Sequence, residues 1–178
     1  MTTTLRVVLD QLVAPTDPDL AMASRELARA LIAAAPRGCE VTAVVPAAGE
    51  EALAEVRALE GVAGVESSPI PRRELSTALS LGLPSGLGGG MVHSPTLFAP
   101  LVRHDRVHNH EQTVVTIWDL TPWTHPERLP KASVAWHRAM LKRAEKHADA
   151  VVVPLHGELQ GLVAVLGHKA VSPLQAGM

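Results

Sequence analysis

Residues suited to binding a small polar ligand are concentrated in one short stretch, VVTIWDLTPWTHPE (114–127). It holds Trp118, Asp119, Trp123 and His125, in a chain with only three Trp, one Phe and no Tyr. Aromatic faces stack on apolar ligand surfaces, while carboxylates and imidazoles hydrogen-bond hydroxyl groups. The two Trp residues also suit a packing role, because Trp fills space in a core otherwise built from Ala, Val and Leu. Both interpretations of the Trp pair, a ligand platform and a packing cluster, stay open.

The positions of these residues favour a ligand site at a sheet edge. The β-branched run before them predicts a buried strand over 112–119. Polar residues also fall at the ends of three other predicted strands: Asp10, His93 with Ser94, and His156. In open parallel sheets, ligands bind in the crevice beyond the carboxyl ends of the strands. The candidate substrate-binding residues are therefore His93, Ser94, Trp118, Asp119, Trp123 and His125.

The order of predicted elements indicates the fold class. Short apolar runs alternate with stretches of helical periodicity. The predicted strands are 5–10, 39–46, one within 62–70, one within 90–95, 112–119 and 149–156, and the main predicted helices are 18–35, 50–61, 131–148 and 157–167. Uniformly apolar strands are typical of a parallel sheet covered on both faces. We predict an α/β, Rossmann-like three-layer α/β/α domain with a mostly parallel sheet.

Composition narrows the class of partner and location. A length of 178 residues favours one domain. The net charge of −2 and the lack of a Lys/Arg-rich block argue against nucleic acid as a partner. No apolar stretch is long enough to span a membrane, and the start MTTTLRVVLD lacks the pattern of a secretory signal. The single Cys39 cannot form an internal disulfide, so a cytoplasmic location is expected.

Common cofactor motifs are missing from the sequence. The first strand-to-helix turn, DQLVAPTDPDLAMAS, contains no G-x-G-x-x-G, and no phosphate-binding loop or G-x-S-x-G elbow occurs elsewhere. We therefore predict no bound cofactor. The Gly-rich segment GLGGG precedes a strand rather than a helix, and it is interpreted as a turn.

Acidic and histidine clusters are also interpreted as structural, and no metal site is predicted. Asp17 and Asp19 form a D-x-D triplet, but a Pro between two acids before a helix is an ordinary N-cap arrangement. His104, His108 and His110 lie at irregular spacing in a charged segment, which favours a solvated loop.

The predicted helix 131–148 contributes three more residues. His137 and His147 are expected at its surface, and Trp136 is expected in the core.

Four segments, taken in order, resemble a known family. They are MVHSPTLFAPL, VVTIWDLTPWTHPE, VAWHRAMLKRAEKHADAVVVPLH and GELQGLVAVLG. Together they look like the N-terminal half of a family-four, GT-B type bacterial glycosyltransferase. The resemblance runs from about 88 to 167, and more weakly over LRVVLD near the start.

The resemblance implies two Rossmann-like domains that face each other across a cleft. Residues 1–167 would be the N-terminal acceptor-binding domain, and 168–178 would begin the interdomain linker. The donor domain would be absent from this chain, so this part alone would be inactive. The full-length enzyme would be a retaining hexosyltransferase that acts on a glycan, a lipid or a small metabolite. Its nucleotide-sugar is a co-substrate bound mainly by the missing domain, and a lipid acceptor would bring the protein to a membrane surface.

Two departures from the family pattern affect the site. Trp118 occupies the position of the family's histidine, whereas Asp119 is retained, so no catalytic residue is assigned. APTDPDLAMAS replaces the usual Gly-rich turn, and its side chains restrict close approach to phosphate. Under the resemblance, Trp118 and Trp123 would be sugar platforms, Asp119 would accept hydroxyl hydrogen bonds, and His93 would contact a hydroxyl or a diphosphate. The alternative is a non-catalytic sugar-binding or interaction module of the same fold.

Overall fold

A computed structural model describes residues 2–153, which form one parallel sheet with helices on both faces. The strands are β1 (Thr3–Val8), β2 (Cys39–Ala47), β3 (Gly64–Pro71), β4 (Met91–Ser94), β5 (Gln112–Thr116) and β6 (Ala150–Val152). The helices are α1 (Asp10–Val13), α2 (Pro18–Ala34), α3 (Glu50–Arg57), α4 (Arg72–Leu81), α5 (Thr121–Thr124) and α6 (Lys131–His147), with a 3-10 turn at Pro126–Arg128. None of the helices in this part of the chain is long and apolar enough to cross a membrane.

The strand order confirms the predicted fold class. The strands are arranged β3-β2-β1-β4-β5-β6 and every neighbouring pair is parallel. This is the order of a doubly wound, Rossmann-like sheet. Val7 in β1 pairs with Ala43 on one side and with His93 on the other. The chain reverses its direction of winding between β1 and β4, and the crevice at the carboxyl ends of those two strands is where such sheets bind ligands.

Two apolar clusters, one on each face, hold the layers together. One contains Val7 and Leu9 with residues of α2 and α3, such as Ala28 and Val56. The other joins β1, β4 and β5 to α4 and α6. Its fully buried members include Val8, Leu75, Val92, Val115 and Met140. Adjacent residues of β1 point to opposite faces, which is why Val7 and Val8 belong to different clusters.

The connection between β4 and β5 contains no helix. Parallel neighbours are usually joined by a helix that covers one face. Here residues 95–111 are irregular, and the apolar half of the segment covers the sheet instead. Leu97, Phe98, Ala99 and Leu101 are each at most 5% exposed. The only Phe of the chain thus fills the place of a crossover helix.

Several element boundaries differ from the sequence-based prediction. β1 ends at Val8 rather than at 10, and Asp10 begins α1. β5 ends at Thr116 rather than at 119. The capping role of Asp17 is confirmed, since its carboxylate accepts hydrogen bonds from the backbone N–H groups of Asp19 and Leu20. The end of the strand predicted to reach 156, the helix 157–167 and the linker 168–178 lie outside the described residues.

Candidate functional site at the carboxyl edge of the sheet

Trp118 joins the ends of two neighbouring strands. Its indole Nε1 donates a 2.6 Å hydrogen bond to the carbonyl oxygen of Pro95, directly after β4. The side chain is half-buried, so part of the ring stays accessible. The N–H group is used by the protein itself, and the exposed part of the ring offers a ligand only an apolar surface.

Asp119 is exposed and keeps one carboxylate oxygen free. Its Oδ1 accepts hydrogen bonds from the backbone N–H of Thr121 at 2.8 Å and from the Thr121 hydroxyl at 2.6 Å. This turn starts α5 and fixes the direction of the carboxylate. Within residues 2–153, Oδ2 has no hydrogen-bond partner, which leaves it available for a ligand hydroxyl.

His137 lies between two Trp rings. The edge-on contact with Trp123 has a centroid distance of 6.1 Å, and the contact with Trp136 has one of 4.9 Å. The expectation that His137 is a surface residue was wrong, because it is half-buried in this aromatic group. Trp136 packs against the core as predicted and also donates to the carbonyl oxygen of Ser76 at 3.0 Å.

The hydrogen bonds of His137 define its tautomer. Its Nδ1 lies 2.8 Å from the carbonyl oxygen of Ser133, which only accepts, so Nδ1 carries the proton. Burial lowers the pKa of His137 and Arg72 adds to this effect, while the Ser133 carbonyl and Asp119 oppose it. The neutral ring then presents the lone pair of Nε2. This nitrogen can accept a hydrogen bond from a hydroxyl or take up its proton.

Arg72 and Asp10 form a buried ion pair at the switch point of the sheet. Arg72 Nε donates to Asp10 Oδ2 at 2.8 Å, and Gln11 Nε2 donates to the same oxygen at 2.7 Å. Burial raises the pKa of Asp10, which is only 1% exposed, and these hydrogen bonds offset part of the effect. The Arg72 guanidinium also lies 5.0 Å from the centroid of Phe98. Its two terminal NH₂ groups have no hydrogen-bond acceptor among the described residues and can bind an anion.

The side chains of His93 and Ser94 both make hydrogen bonds within the protein. His93 is half-buried, and its Nε2 lies 3.0 Å from Oγ1 of Thr116 in the neighbouring strand. Burial lowers the pKa of His93. Ser94 is 0% exposed, and its hydroxyl donates to the carbonyl oxygen of Phe98 at 2.9 Å. The expectation of a direct ligand contact through Ser94 is therefore corrected, because its side chain faces no solvent and orders the segment beside it.

His125 and His156 are not brought into this group. His125 is exposed, and the polar partner nearest to its ring in the described part of the chain is Glu127, 3.4 Å from Nδ1. His156 lies outside the described residues. The structure brings together Asp10, Arg72, Asp119, Trp123 and His137 at this edge. Trp118 lies at the same edge, where it is bonded to Pro95.

Sequence reasoning missed Arg72 and His137 as site residues. Arg72 directly follows β3, so the rule that selected Asp10 and Trp118 would have found it had the end of that strand been placed correctly. No local pattern marks His137, because its environment is created by Trp123 and by the packing of α5 against α6.

The histidine-rich loop departs in one respect from its predicted solvated state. His104 is largely buried, with Nε2 at 2.8 Å from Asp149 Oδ2, while His108 is exposed, with Nδ1 at 3.1 Å from Asp105 Oδ2. Over residues 2–153, no three His, Cys, Asp or Glu side chains lie close enough together to hold a metal ion.

We compared the chain with protein-family models, with curated proteins and with solved structures. None of the three comparisons found a match. The chemistry of the site is therefore inferred from its own geometry. It combines aromatic surfaces, a free carboxylate oxygen, a neutral imidazole and a guanidinium, which suits a ligand with hydroxyl groups and a negative charge.

Two surface depressions, of about 340 and 260 Å³, lie at the opposite, amino edge of the sheet. The larger is lined mainly by apolar and small residues such as Leu5, Leu31, Cys39 and Met91. It lacks the convergent polar groups that orient a sugar. Neither depression includes a residue of the carboxyl-edge group. The candidate site is therefore identified by the types of its side chains and not by the shape of the surface.

Proposed function

We propose that the chain is the N-terminal, acceptor-binding domain of a retaining GT-B type glycosyltransferase. Its reaction would move a hexosyl group from a nucleotide-sugar to a glycan, lipid or small-metabolite acceptor. The observation that carries the proposal is that Asp119, Arg72 and Trp123 all lie near His137, at the carboxyl edge of a doubly wound sheet. Trp118 directly precedes Asp119 at the same edge. A nucleotide-sugar co-substrate is consistent with the cytoplasmic location that the proposal includes.

Each residue of the group has a chemical role in the proposal. Trp118 and Trp123 present ring surfaces to the apolar face of the acceptor sugar. The free Oδ2 of Asp119 accepts a hydrogen bond from an acceptor hydroxyl, and Nε2 of His137 accepts another. The terminal NH₂ groups of Arg72 bind a phosphate oxygen of the donor, where negative charge develops as the diphosphate leaves.

The resemblance implies a donor domain on the other side of the cleft, facing this edge. The chain alone would then bind the acceptor without transferring a sugar. Nucleotide contacts would come mainly from the second domain. Arg72 is the one residue of this edge that the proposal assigns to the donor.

One observation favours the alternative, a sugar-binding module without catalysis. The family's histidine position is held by Trp118, whose only polar hydrogen is bonded to Pro95. An indole neither donates nor accepts a proton in catalysis at neutral pH. Transfer activity in the complete natural polypeptide would exclude this alternative, and its absence together with intact glycoside binding would support it.

The proposal is tested by saturation-transfer NMR with the methyl α-glycosides of glucose, mannose and galactose. We expect at least one glycoside to bind, and we expect Trp118→Ala and Asp119→Asn to weaken it about tenfold, the effect of losing one good contact of roughly 1.4 kcal/mol. Asp105→Asn is the matched control, because Asp105 also caps a turn through its Oδ1 but lies at the opposite edge. Equal binding by all three variants would remove this edge as the sugar site.

A further inference from the structure

A second polar site lies at the amino edge of the sheet. Basic side chains from two segments converge there on the depression of about 260 Å³. They come from the loop before β5 and from the last turn of α6. The lining residues are Arg103, His104, Arg106, Lys146 and His147.

Asp149 fixes part of this basic group in place. Its Oδ2 accepts hydrogen bonds from His104 Nε2 at 2.8 Å and from the backbone N–H of Thr113 at 2.6 Å, and its Oδ1 accepts one from Arg106 Nε. Burial works against the charged carboxylate, but these hydrogen bonds hold the pKa of Asp149 below its ordinary value. The carboxylate of Asp149 therefore orients the loop through these hydrogen bonds.

Two of the basic side chains form no ion pair with the described residues. Within residues 2–153, neither Arg103 nor Lys146 has a carboxylate within 4.0 Å. Arg103, Arg106 and Lys146 together outweigh the single charge of Asp149. Burial lowers the pKa of His147, and the positive charges around it lower it further. The groups that act on His147 in this way are Arg143, Lys146, His104 and Arg106.

The C-terminal end of α6 balances only part of the positive charge around the pocket. The carbonyl groups at a helix C-terminus act like roughly half a negative charge, and basic residues there commonly serve to balance it. One of these carbonyl groups, that of His147, is 3.5 Å from Arg106 Nη2. The lining of the pocket contains three Arg or Lys side chains and no carboxylate, so the pocket is suited to an anion.

We propose that this pocket binds a ligand through a phosphate or diphosphate group. Guanidinium forks match phosphate oxygens in geometry, and a Lys ammonium adds a point charge. The pocket is small, and the net charge of the chain is −2, so an extended nucleic-acid backbone does not fit the observations. The site lies at the edge opposite Trp118 and Asp119 and does not depend on the function proposed above.

The first test is calorimetric titration of the whole chain with sodium pyrophosphate at low ionic strength. We expect the double variant Arg103→Gln/Lys146→Gln to bind at least about tenfold more weakly, since charge-assisted contacts to phosphate are among the stronger hydrogen bonds. Arg138→Gln is the control, because it removes one positive charge from an exposed position of the same helix about 12 Å away. Circular dichroism confirms that each variant is folded.

A second readout distinguishes binding from general charge screening. Bound pyrophosphate should raise the pKa of His147, measured by NMR titration, because an anion reverses the effect of its positive neighbours. Sodium chloride added to the same ionic strength should change the pKa of His147 less than pyrophosphate does. An unchanged pKa of His147 in pyrophosphate, together with no binding to vesicles that contain phosphatidic acid, would overturn the proposal.

Vesicle sedimentation distinguishes the two possible sources of the phosphate group, a soluble ligand and a lipid headgroup. Binding of free pyrophosphate that the double variant loses indicates a soluble phosphorylated ligand. Binding only to vesicles containing phosphatidic acid, and not to pure phosphatidylcholine, indicates a lipid headgroup, provided that the double variant loses it. Binding to neither probe, or binding that the double variant retains in full, contradicts the phosphate site.

Discussion

Arg72 Nε lies 2.8 Å from Asp10 Oδ2, and this ion pair joins two points that are 62 residues apart in the chain. Asp10 follows β1 and Arg72 begins α4, so the pair fixes the start of that helix at the switch point of the sheet. Gln11 completes the arrangement, since its Oε1 accepts hydrogen bonds from the backbone N–H and the hydroxyl of Thr16. The buried carboxyl group of Asp10 thus has hydrogen-bond partners from both Arg72 and Gln11 next to the candidate site.

Loss of the Arg72 side chain should destabilise the fold strongly. Arg72→Met leaves Asp10 buried without its cation, and breaking a buried pair in this way typically costs about 3–5 kcal/mol. Arg73→Met is the matched control, because Arg73 is the next residue of α4 and is exposed. Urea denaturation measures both free energies of unfolding. Similar values for the two variants would mean that the pair contributes little.

Ser94→Ala separates a structural role from a ligand contact. The buried hydroxyl bonds the Phe98 carbonyl oxygen, and its removal should lower the free energy of unfolding by about 1–3 kcal/mol. Ser80→Ala should have a smaller effect, because that hydroxyl bonds Thr77 in an exposed position. Glycoside binding by folded Ser94→Ala should be unchanged. Lost binding at full stability would instead return Ser94 to the ligand site.

The sheet could be predicted from sequence because its signals are local. Apolar runs such as LRVVLD and QTVVTIWD alternate with helical periodicity, and that alternation defines a parallel α/β sheet without knowledge of distant contacts. The replacement of a crossover helix by Leu97–Leu101 had no such signal. The segment contains Pro100 and shows neither a helical nor a strand period, so its role is clear only from its burial against β4 and β5.

The candidate site could be predicted only where it follows strand ends in the sequence. The rule of polar or aromatic residues at strand ends selects Trp118 and Asp119. It misses Arg72 because the sequence does not define where the third strand ends, and it misses His137 because the helical period of α6 does not show what α5 places against it. Ser94 was placed correctly at a strand end, but its burial depends on the path of the following loop.

Acid should destabilise the protein below about pH 6.5 through two half-buried histidines. Burial lowers the pKa values of His93 and His137 below 6.5 in the folded state. In the unfolded chain they return to the ordinary value, so between the two pKa values the unfolded state binds more protons. Stability therefore falls as the pH decreases from about 6.5 towards the folded pKa values, below which the slope levels off.

The double variant His93→Gln/His137→Gln tests this origin of the pH dependence. Its free energy of unfolding, measured from pH 7.5 to 5, should fall less steeply than that of the unmodified chain. His125→Gln controls for loss of an imidazole at an exposed position. A slope in the double variant equal to that of the unmodified chain would assign the acid sensitivity to other groups.

Gly82 should resist substitution because of both its backbone and its neighbour. It ends α4 with a φ of 72°, and a Cβ there would lie 2.5 Å from Arg143 Cζ. The guanidinium of Arg143 donates to the Leu101 carbonyl oxygen at 2.7 Å, so it cannot move away without loss. Gly82→Ala should destabilise by at least about 1–2 kcal/mol, the usual penalty for a left-handed Ala.

The matched control is Gly49→Ala, at a position with a φ of −68° and no heavy atom within 4 Å of the added Cβ. Thermal unfolding followed by circular dichroism compares the two variants. Equal melting temperatures would show that the end of α4 adapts to the side chain.

The most direct test of the proposed sugar site is an NMR titration that follows the three Trp indole N–H signals. Trp118 and Trp123 belong to the proposed platform, whereas the Trp136 N–H donates to the carbonyl oxygen of Ser76 and lies outside the platform. When the binding methyl glycoside is added, we predict saturable shifts of the Trp118 and Trp123 signals that exceed the shift of Trp136. Unchanged Trp118 and Trp123 signals at saturating glycoside would contradict a sugar site at the carboxyl edge of the sheet.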